Sequence, residues 1–157
     1  MCDRSETLKK EYGLEEHVEG GSFAKVYTAP FEDRERSYMG SIYFLLDKDE
    51  ISHFHVIDCD EIWYFHEGCG MKITVIDDEG KKIEFCLGKD TKKGEKAMVV
   101  INKGWIFGAE NLDSNSYSFV SCVTTPEYRD EGFRLVYKNE IKEVCPDIYE
   151  EVSYLAY

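Results

Sequence analysis

From residue 23 onward, short apolar runs alternate with turn residues, a pattern that predicts strands. The runs are rich in Tyr, Phe, Val and Ile, and no helical periodicity intervenes between them, so parallel βαβ units are not expected. Many short strands separated by turns are typical of a β-sandwich or β-barrel. The predicted strands are 23–29, 38–46, 52–58, 61–66, 71–77, 82–87, 96–101, 117–124 and 133–137.

Helical patterns are found only at the two ends. A first helix is predicted over residues 5–12, with Ser5 as its N-cap and Gly13 after its last turn. Near the C-terminus apolar residues recur every three or four positions, and Pro146 is expected to divide this segment. We therefore predict one all-β domain over 1–157, with a barrel at about 20–138 and a helical tail at 139–157.

Composition narrows the possible partners. The 157 residues include 19 basic and 32 acidic side chains, a net charge of −13, which argues against nucleic acid and anionic membranes as partners. No apolar stretch is long enough to span a bilayer, and no secretory signal is visible, so we predict a cytoplasmic protein. Zinc spacing and a disulfide framework are not expected, because no C-x-x-C occurs among the six cysteines. These are Cys2, Cys59, Cys69, Cys86, Cys122 and Cys145.

Three of the four histidines crowd into residues 53–66. His53 and His55 would project from the same face of a strand, because side chains alternate along it. A turn at 58–60 would bring Glu61 back beside them on the next strand. Two imidazoles and one carboxylate can bind a divalent transition metal or act as acid–base groups.

These residues belong to a longer pattern that resembles a known family. His-x-His followed by Glu and Gly is similar to the first motif of the cupin superfamily, and the wider pattern is similar to its RmlC-like branch, catalogued as a domain of unknown function. That branch is matched by His17–Phe23, by the strand Ile42–Leu46 and by many single positions. The single positions are Ser52, His55, Asp60, Glu61, Ile62, Trp63, Phe65, His66, Gly68, Leu87, Gly88, Gly94, Glu95, Cys122, Pro126 and Phe133.

The resemblance implies a double-stranded β-helix, the cupin-type jelly-roll barrel, with a small-molecule site in its mouth and a homodimeric assembly.

The sequence departs from the cupin pattern at one point, which concerns metal binding. The second cupin motif resembles P-x-G-x-x-H, but here Asn102 replaces the proline and residues 107–109 contain no histidine. His53, His55 and Glu61 remain a candidate metal set, and a pocket without metal is the alternative.

Catalytic roles are assigned to three residues. His55 would be a base, Glu61 would orient it, and Tyr43 would donate a proton, as the resemblance to epimerase-type cupins implies. A buried His–Glu hydrogen bond of purely structural value is the alternative. Substrate contacts are predicted for Glu19, Arg36, Trp63, Phe65 and Trp105, against the alternatives of a solvated Glu19, a surface arginine and core aromatics.

Three functions follow from these assignments. The first is an epimerase- or isomerase-type enzyme acting by proton transfer on a small polar molecule, such as a sugar or nucleotide derivative. The second is a non-catalytic ligand-binding or sensing module that uses the same pocket. The third is a metal-dependent oxygenase or lyase.

Overall fold

The computed structural model describes residues 3–31 and 35–157, which fold into two antiparallel sheets packed face to face. The predicted double-sheet barrel with helical ends is confirmed, since strands dominate the described residues. The strands are β1 (Glu15–Glu16), β2 (Ser22–Thr28), β3 (Gly40–Leu46), β4 (Ile51–Val56), β5 (Asp60–Gly68), β6 (Met71–Ile76), β7 (Lys82–Leu87), β8 (Met98–Ile101), β9 (Ile106–Asn111), β10 (Ser118–Thr125) and β11 (Arg134–Leu135).

The strand order explains where the core lies. One sheet runs β1-β2-β3-β10-β5-β8 and the other runs β11-β4-β9-β6-β7. Inward-facing side chains of both sheets, among them Phe44, Trp63, Ile73 and Phe107, form one buried cluster between them. Because side chains alternate along each strand, the outer faces need separate cover, and the helical ends supply it.

The N-terminal helix covers part of the six-stranded sheet. It spans Arg4–Tyr12 (α1), and Leu8 packs against Leu45 and Phe119 on the outer face of that sheet. Its N-cap is Asp3, whose carboxylate accepts the Ser5 backbone N–H, so the prediction of Ser5 as the cap was wrong. An aspartate in extended conformation satisfies a free N–H of the first turn as well as serine does.

The C-terminal segment covers the five-stranded sheet. Helix α2 (Lys138–Val144) is followed by a 3₁₀ turn that begins at Pro146, then by α3 (Tyr149–Val152) and a second 3₁₀ turn at Ser153–Leu155. Ile141, Val152 and Leu155 pack with residues of the sheet's outer face. Proline suits the first position of this turn because its ring fixes φ. It has no N–H, but an N–H at this position would not form a hydrogen bond within the turn in any case.

One central strand was missing from the sequence prediction. Strand β9 lies between β4 and β6, yet it carries Gly108, Glu110 and Asn111 where a buried strand usually carries β-branched residues. Asn111 is tolerated because its side-chain NH₂ donates to the carbonyls of Leu46, Asp47 and Ser116. Long-range pairing therefore overrides local propensity here.

Two further predictions concern cysteines and membranes. The five cysteines within residues 3–31 and 35–157 are free thiols, while Cys2 lies outside the described residues. Over the same residues, no helix combines the length and the apolar character needed to cross a bilayer.

Candidate functional site

A cavity opens between the two sheets, with an empty volume of about 670 Å³ that includes its mouth. The exposed residues Lys25, Tyr27 and Thr28 of β2 mark the mouth. The remaining lining residues are His17, Glu19, Phe23, Gly40, Ser41, Ile42, His55, Ile57, Glu61, Cys122, Thr124, Glu127, Tyr128 and Phe133.

A tight turn delivers Glu19 into this cavity. The His17 N–H donates to the Gly21 carbonyl, and the Gly20 N–H donates to the His17 carbonyl. Gly20 has φ of 110°, and a Cβ there would lie 1.9 Å from the Ile51 carbonyl oxygen. Only glycine fits, and this close approach to β4 leaves Glu19 buried inside the barrel.

A β-bulge decides which histidine of β4 faces the cavity. Ser52 pairs with Ala109 and His55 with Phe107, so three steps on β4 match two steps on β9. The extra residue breaks the alternation, and Ser52 and His55 therefore point inward together. His53 instead packs on the Tyr157 ring, with the two centroids 4.4 Å apart. The predicted common face for His53 and His55 was wrong for this reason.

His55 and Glu19 share one proton. His55 Nδ1 lies 2.7 Å from the His53 carbonyl oxygen, which can only accept, so Nδ1 carries a proton. His55 Nε2 then faces Glu19 Oε2 at 3.1 Å, and one proton lies between them. Burial lowers the pKa of His55 to about 4, while burial and the charge of Glu61 raise the pKa of Glu19 well above its usual value. Both shifts favour the neutral forms, a protonated Glu19 and a neutral His55.

Glu61 is a second buried carboxyl on the cavity wall. Its Oε2 accepts the indole N–H of Trp63 at 2.9 Å, and the Cys122 thiol is a second hydrogen-bond partner. Burial raises its pKa to about 7 although both hydrogen bonds act to lower it. The carboxylate that contacts His55 is Glu19, so the structure does not bring Glu61 into the orienting position expected of it.

Aromatic rings form the other walls. The His17 ring meets Phe23 at 84° and Phe133 at 89°, with centroid separations of 5.0 and 5.4 Å. Tyr128 stands 6.2 Å from Phe133. His17 Nδ1 accepts the Glu19 backbone N–H, and burial lowers the pKa of His17, which favours a neutral ring. The cavity thus combines two buried carboxyls, those of Glu19 and Glu61, with aromatic surfaces.

The chain has relatives over almost its whole length. Residues 6–136 match the family described as Cupin superfamily (DUF985). This chain belongs to the cupin superfamily. No curated protein matches it.

Solved structures agree with this assignment. Protein SO0799 from Shewanella oneidensis is 34% identical, with 100% of this chain and 99% of that one covered and a TM-score of 0.92. A hypothetical protein from Leishmania major is 26% identical, with 97% and 98% covered and a TM-score of 0.87. Oxalate decarboxylase from Bacillus subtilis, which has Mn(II) centres, is 18% identical; 90% of this cupin and 37% of that enzyme align, with a TM-score of 0.59. That last likeness concerns the fold alone.

Several predicted site residues lie away from the cavity of this cupin. Tyr43 lies on the opposite face of the six-stranded sheet, its ring 4.8 Å from Tyr12 of α1, so it is not placed to donate a proton into the cavity. Arg36 forms a bidentate pair with Asp58, at 2.6 and 3.2 Å, and its Nε–H donates to the Glu127 carbonyl. The guanidinium group of Arg36 is therefore already hydrogen-bonded within the protein, on the side that would hold a carboxylate or phosphate of a substrate.

The aromatic residues that were predicted to contact the substrate also lie outside the cavity. Trp63 is 2% exposed and packs in the core between Phe44 and Phe107, and it reaches the site only through its hydrogen bond to Glu61. Phe65 and Trp105 pack against the same core cluster. These three aromatic side chains thus belong to the core, and the Phe and Tyr rings that line the cavity are those of Phe23, Tyr27, Tyr128 and Phe133.

The residues present do not fit the predicted metal set. His53 points away from His55, and in the part of the chain that the structure describes no three His, Cys, Asp or Glu side chains are arranged to hold a metal ion. The ring of Phe107 lies 4.2 Å from that of His55, so an apolar side chain occupies one side of this imidazole. We derive no chemical step through a metal.

Sequence reasoning missed several members of the site, among them His17, Ser52, Tyr128 and Phe133. Ser52 donates from Oγ to Glu19 Oε1 at 3.2 Å and so fixes the carboxyl that contacts His55. A signal was available for three of them, because His17, Ser52 and Phe133 occupy positions of the family pattern. Tyr128 carried no such signal.

Proposed function

We propose that this cupin binds a small, unphosphorylated organic molecule in the cavity and moves a proton on it, as an epimerase or isomerase does. Glu61 would act as the base and the Glu19–His55 pair as the acid. The observation that carries the proposal is the convergence of two buried carboxyls and one imidazole on the same enclosed space.

The protonation states support this division of roles. A general base works best when its pKa lies near the working pH, and the pKa of Glu61 is about 7. Glu61 would take a proton from the substrate, and Glu19 would return one to a different atom or face. The charge left on Glu19 would then be stabilised by the Ser52 hydroxyl and, after proton uptake, by His55.

The lining argues against phosphorylated substrates. Arginine side chains and helix N-termini are the usual partners of phosphate groups. Among the described lining residues, the positive charge is that of Lys25, which lies at the exposed mouth. On this ground, sugar derivatives without phosphate suit the cavity better than nucleotides do.

Hydrogen exchange at carbon tests the proposal. The protein is incubated in D₂O with a panel of unphosphorylated aldoses, ketoses, amino sugars and amino acids, and deuterium in each compound is measured by mass spectrometry. We expect incorporation into one class, its loss in Glu61→Gln and its retention in Tyr43→Phe, because Tyr43 lies outside the cavity. Retention in Glu61→Gln, or loss in Tyr43→Phe, would overturn the assignment of the base.

A binding module without catalysis is the second candidate. It is favoured by the hydrogen bonds that already satisfy Glu19 and Glu61 without any ligand. Ligand binding to the cavity with no deuterium incorporation by any compound of the panel would support this function and contradict the enzyme.

For assembly we infer a homodimer through the edge of the six-stranded sheet. Strand β8 forms that edge, and its exposed Met98 and Val100 lie beside the exposed Tyr64 of β5. Edge strands with apolar side chains are usually covered. Light scattering after size exclusion should give twice 18.2 kDa, and Val100→Lys should reduce the mass to that of one chain.

A further inference from the structure

We infer that the cavity selects a small organic cation, such as a protonated primary amine, over neutral or anionic molecules of the same shape. This inference rests on the proposed function, because it names the class of ligand for the same cavity. It depends on three features of the cavity: its acidic groups, its aromatic walls and the location of the arginines.

The acidic groups are the first feature. Glu19 and Glu61 are 8% and 7% exposed, and both line the cavity. Their partners are neutral: Ser52 and His55 for Glu19, and Trp63 and Cys122 for Glu61. A buried carboxylate is costly unless a positive charge accompanies it. Glu61, whose pKa is about 7, is the carboxyl that ionises near neutral pH, and an ammonium group bound beside it would provide that charge.

The aromatic walls are the second feature. The rings of His17, Phe23 and Phe133 meet at close to right angles, and Tyr128 extends the same wall. The faces of aromatic rings attract cations, and Phe23, Tyr128 and Phe133 line the same space as Glu61. A neutral ligand would gain the apolar contact but not this attraction.

The arginines are the third feature. Among the described residues, Arg36 and Arg129 lie close to the mouth, both bind Asp58, and neither lines the cavity. Within the described residues no lysine or arginine forms an ion pair with Glu19 or Glu61, whereas the nearby Asp58 binds two arginines. The lining lysine, Lys25, lies at the exposed mouth, so the position beside Glu61 is left for the positive charge of a ligand.

Three probes with the same carbon chain test the inference: n-butylammonium, n-butanol and butyrate. Dissociation constants are measured at neutral pH by protein-observed NMR, on the signals of residues that line the cavity. We expect butylammonium to bind at least about tenfold more tightly than butanol, and butyrate to bind more weakly than butanol. Equal or tighter binding of butanol would overturn the inference.

A matched pair of variants separates the local effect from the net charge of −13. Glu61→Gln should weaken butylammonium at least about tenfold and leave butanol within about twofold. Glu84→Gln makes the same charge change on β7, outside the cavity, and should leave both probes unchanged. An equal effect of the two variants would show general attraction and contradict a built site.

A third variant covers the case in which Glu61→Gln does not fold. Phe133→Leu keeps an apolar side chain but removes the ring that faces His17 and His55, and it should weaken butylammonium more than butanol. An equal loss for both probes would contradict the aromatic contribution. If butylammonium binds preferentially but no compound exchanges deuterium, only the proposed enzyme is contradicted. If a compound exchanges deuterium but butylammonium is not preferred, only this inference is contradicted.

Discussion

Asp58 and Glu61 are three residues apart in sequence but lie in opposite electrostatic environments. Asp58, in the turn between β4 and β5, is held by Arg36 and Arg129, and their hydrogen bonds lower its pKa. Glu61, the second residue of β5, is buried without a cation, and burial raises its pKa to about 7. The protein thus places its ion pairs beside the cavity and leaves the carboxyls within it unneutralised. That difference gives the two carboxyls opposite pKa shifts, and it is the reason that the proposed base is Glu61 and not Asp58.

The largest expected effect comes from removing the charge of Glu61. Its folded pKa is raised, so its contribution to stability is present below its unfolded pKa of 4.5 and is lost as pH rises towards about 7. Glu61→Gln keeps an acceptor for Trp63 but cannot ionise. Between about pH 5 and about pH 8, we expect the wild type to lose about 2–3 kcal/mol of unfolding free energy relative to this variant.

Urea unfolding at the two pH values measures this difference. Contributions of His55 and Glu19 are present in both proteins and largely cancel. Glu84→Gln should follow the wild type at both pH values, since its carboxylate lies on an exposed strand position. If the difference in unfolding free energy between the wild type and Glu61→Gln does not grow with pH, the pKa of Glu61 is not raised by folding. The contrast in pKa shift between Glu61 and Asp58 would then be wrong.

A smaller effect is expected at Asp58. Asp58→Asn removes the charge that two arginines share, and it should lower the unfolding free energy by about 1 kcal/mol, because Asp58 and Arg129 are partly exposed. The folded pKa of Asp58 is lowered, so its contribution is present at neutral pH and is lost as pH falls below about 4.

Salt and a matched variant sharpen this second prediction. The loss should shrink in about 1 M salt, where exposed ion pairs are screened. Asp78→Asn, in the exposed turn after β6, should change stability by less than about 0.5 kcal/mol. An equal loss in both variants would mean that the two arginines contribute nothing specific.

The smallest effect concerns the pKa of Glu61 itself. The Trp63 indole N–H lowers that pKa, so Trp63→Phe should raise it further, by about half a unit to one unit. Carbon-13 NMR titration of the Glu61 carboxyl measures the change. Trp105→Phe, the same substitution in a half-buried tryptophan that does not contact Glu61, should leave the pKa unchanged. A fall in the pKa after Trp63→Phe would contradict the role of the indole.

Local sequence patterns were sufficient for most of the fold. Alternation and turn residues located nine of the strands, because each of them has one face in the core and one outside it. Strand β9 was missed, since Gly108 and Asn111 give no strand signal and are accommodated only by their neighbours in the sheet. The family pattern located Glu19, His55 and Glu61, all of which line the cavity.

Other site residues could not be assigned from sequence because side-chain direction depends on register. Strict alternation put His53 beside His55, and the bulge between Ser52 and His55 turned it away. Tyr43 follows the regular alternation of side chains along β3. The sequence does not show which face of the sheet its side chain joins, and the structure places it on the outer face, which helix α1 covers. Arg36 looked free in sequence, whereas its partner Asp58 is brought to it only by folding.

The sequence by itself determined the barrel, its helical ends and three residues of the cavity, Glu19, His55 and Glu61, because period-two patterning and short motifs are local properties. Tertiary structure alone decided that His55 pairs with Glu19, that Trp63 rather than His55 holds Glu61, and that the arginines bind Asp58. Those pairings join residues from different strands and turns, and burial at their meeting point sets the protonation states.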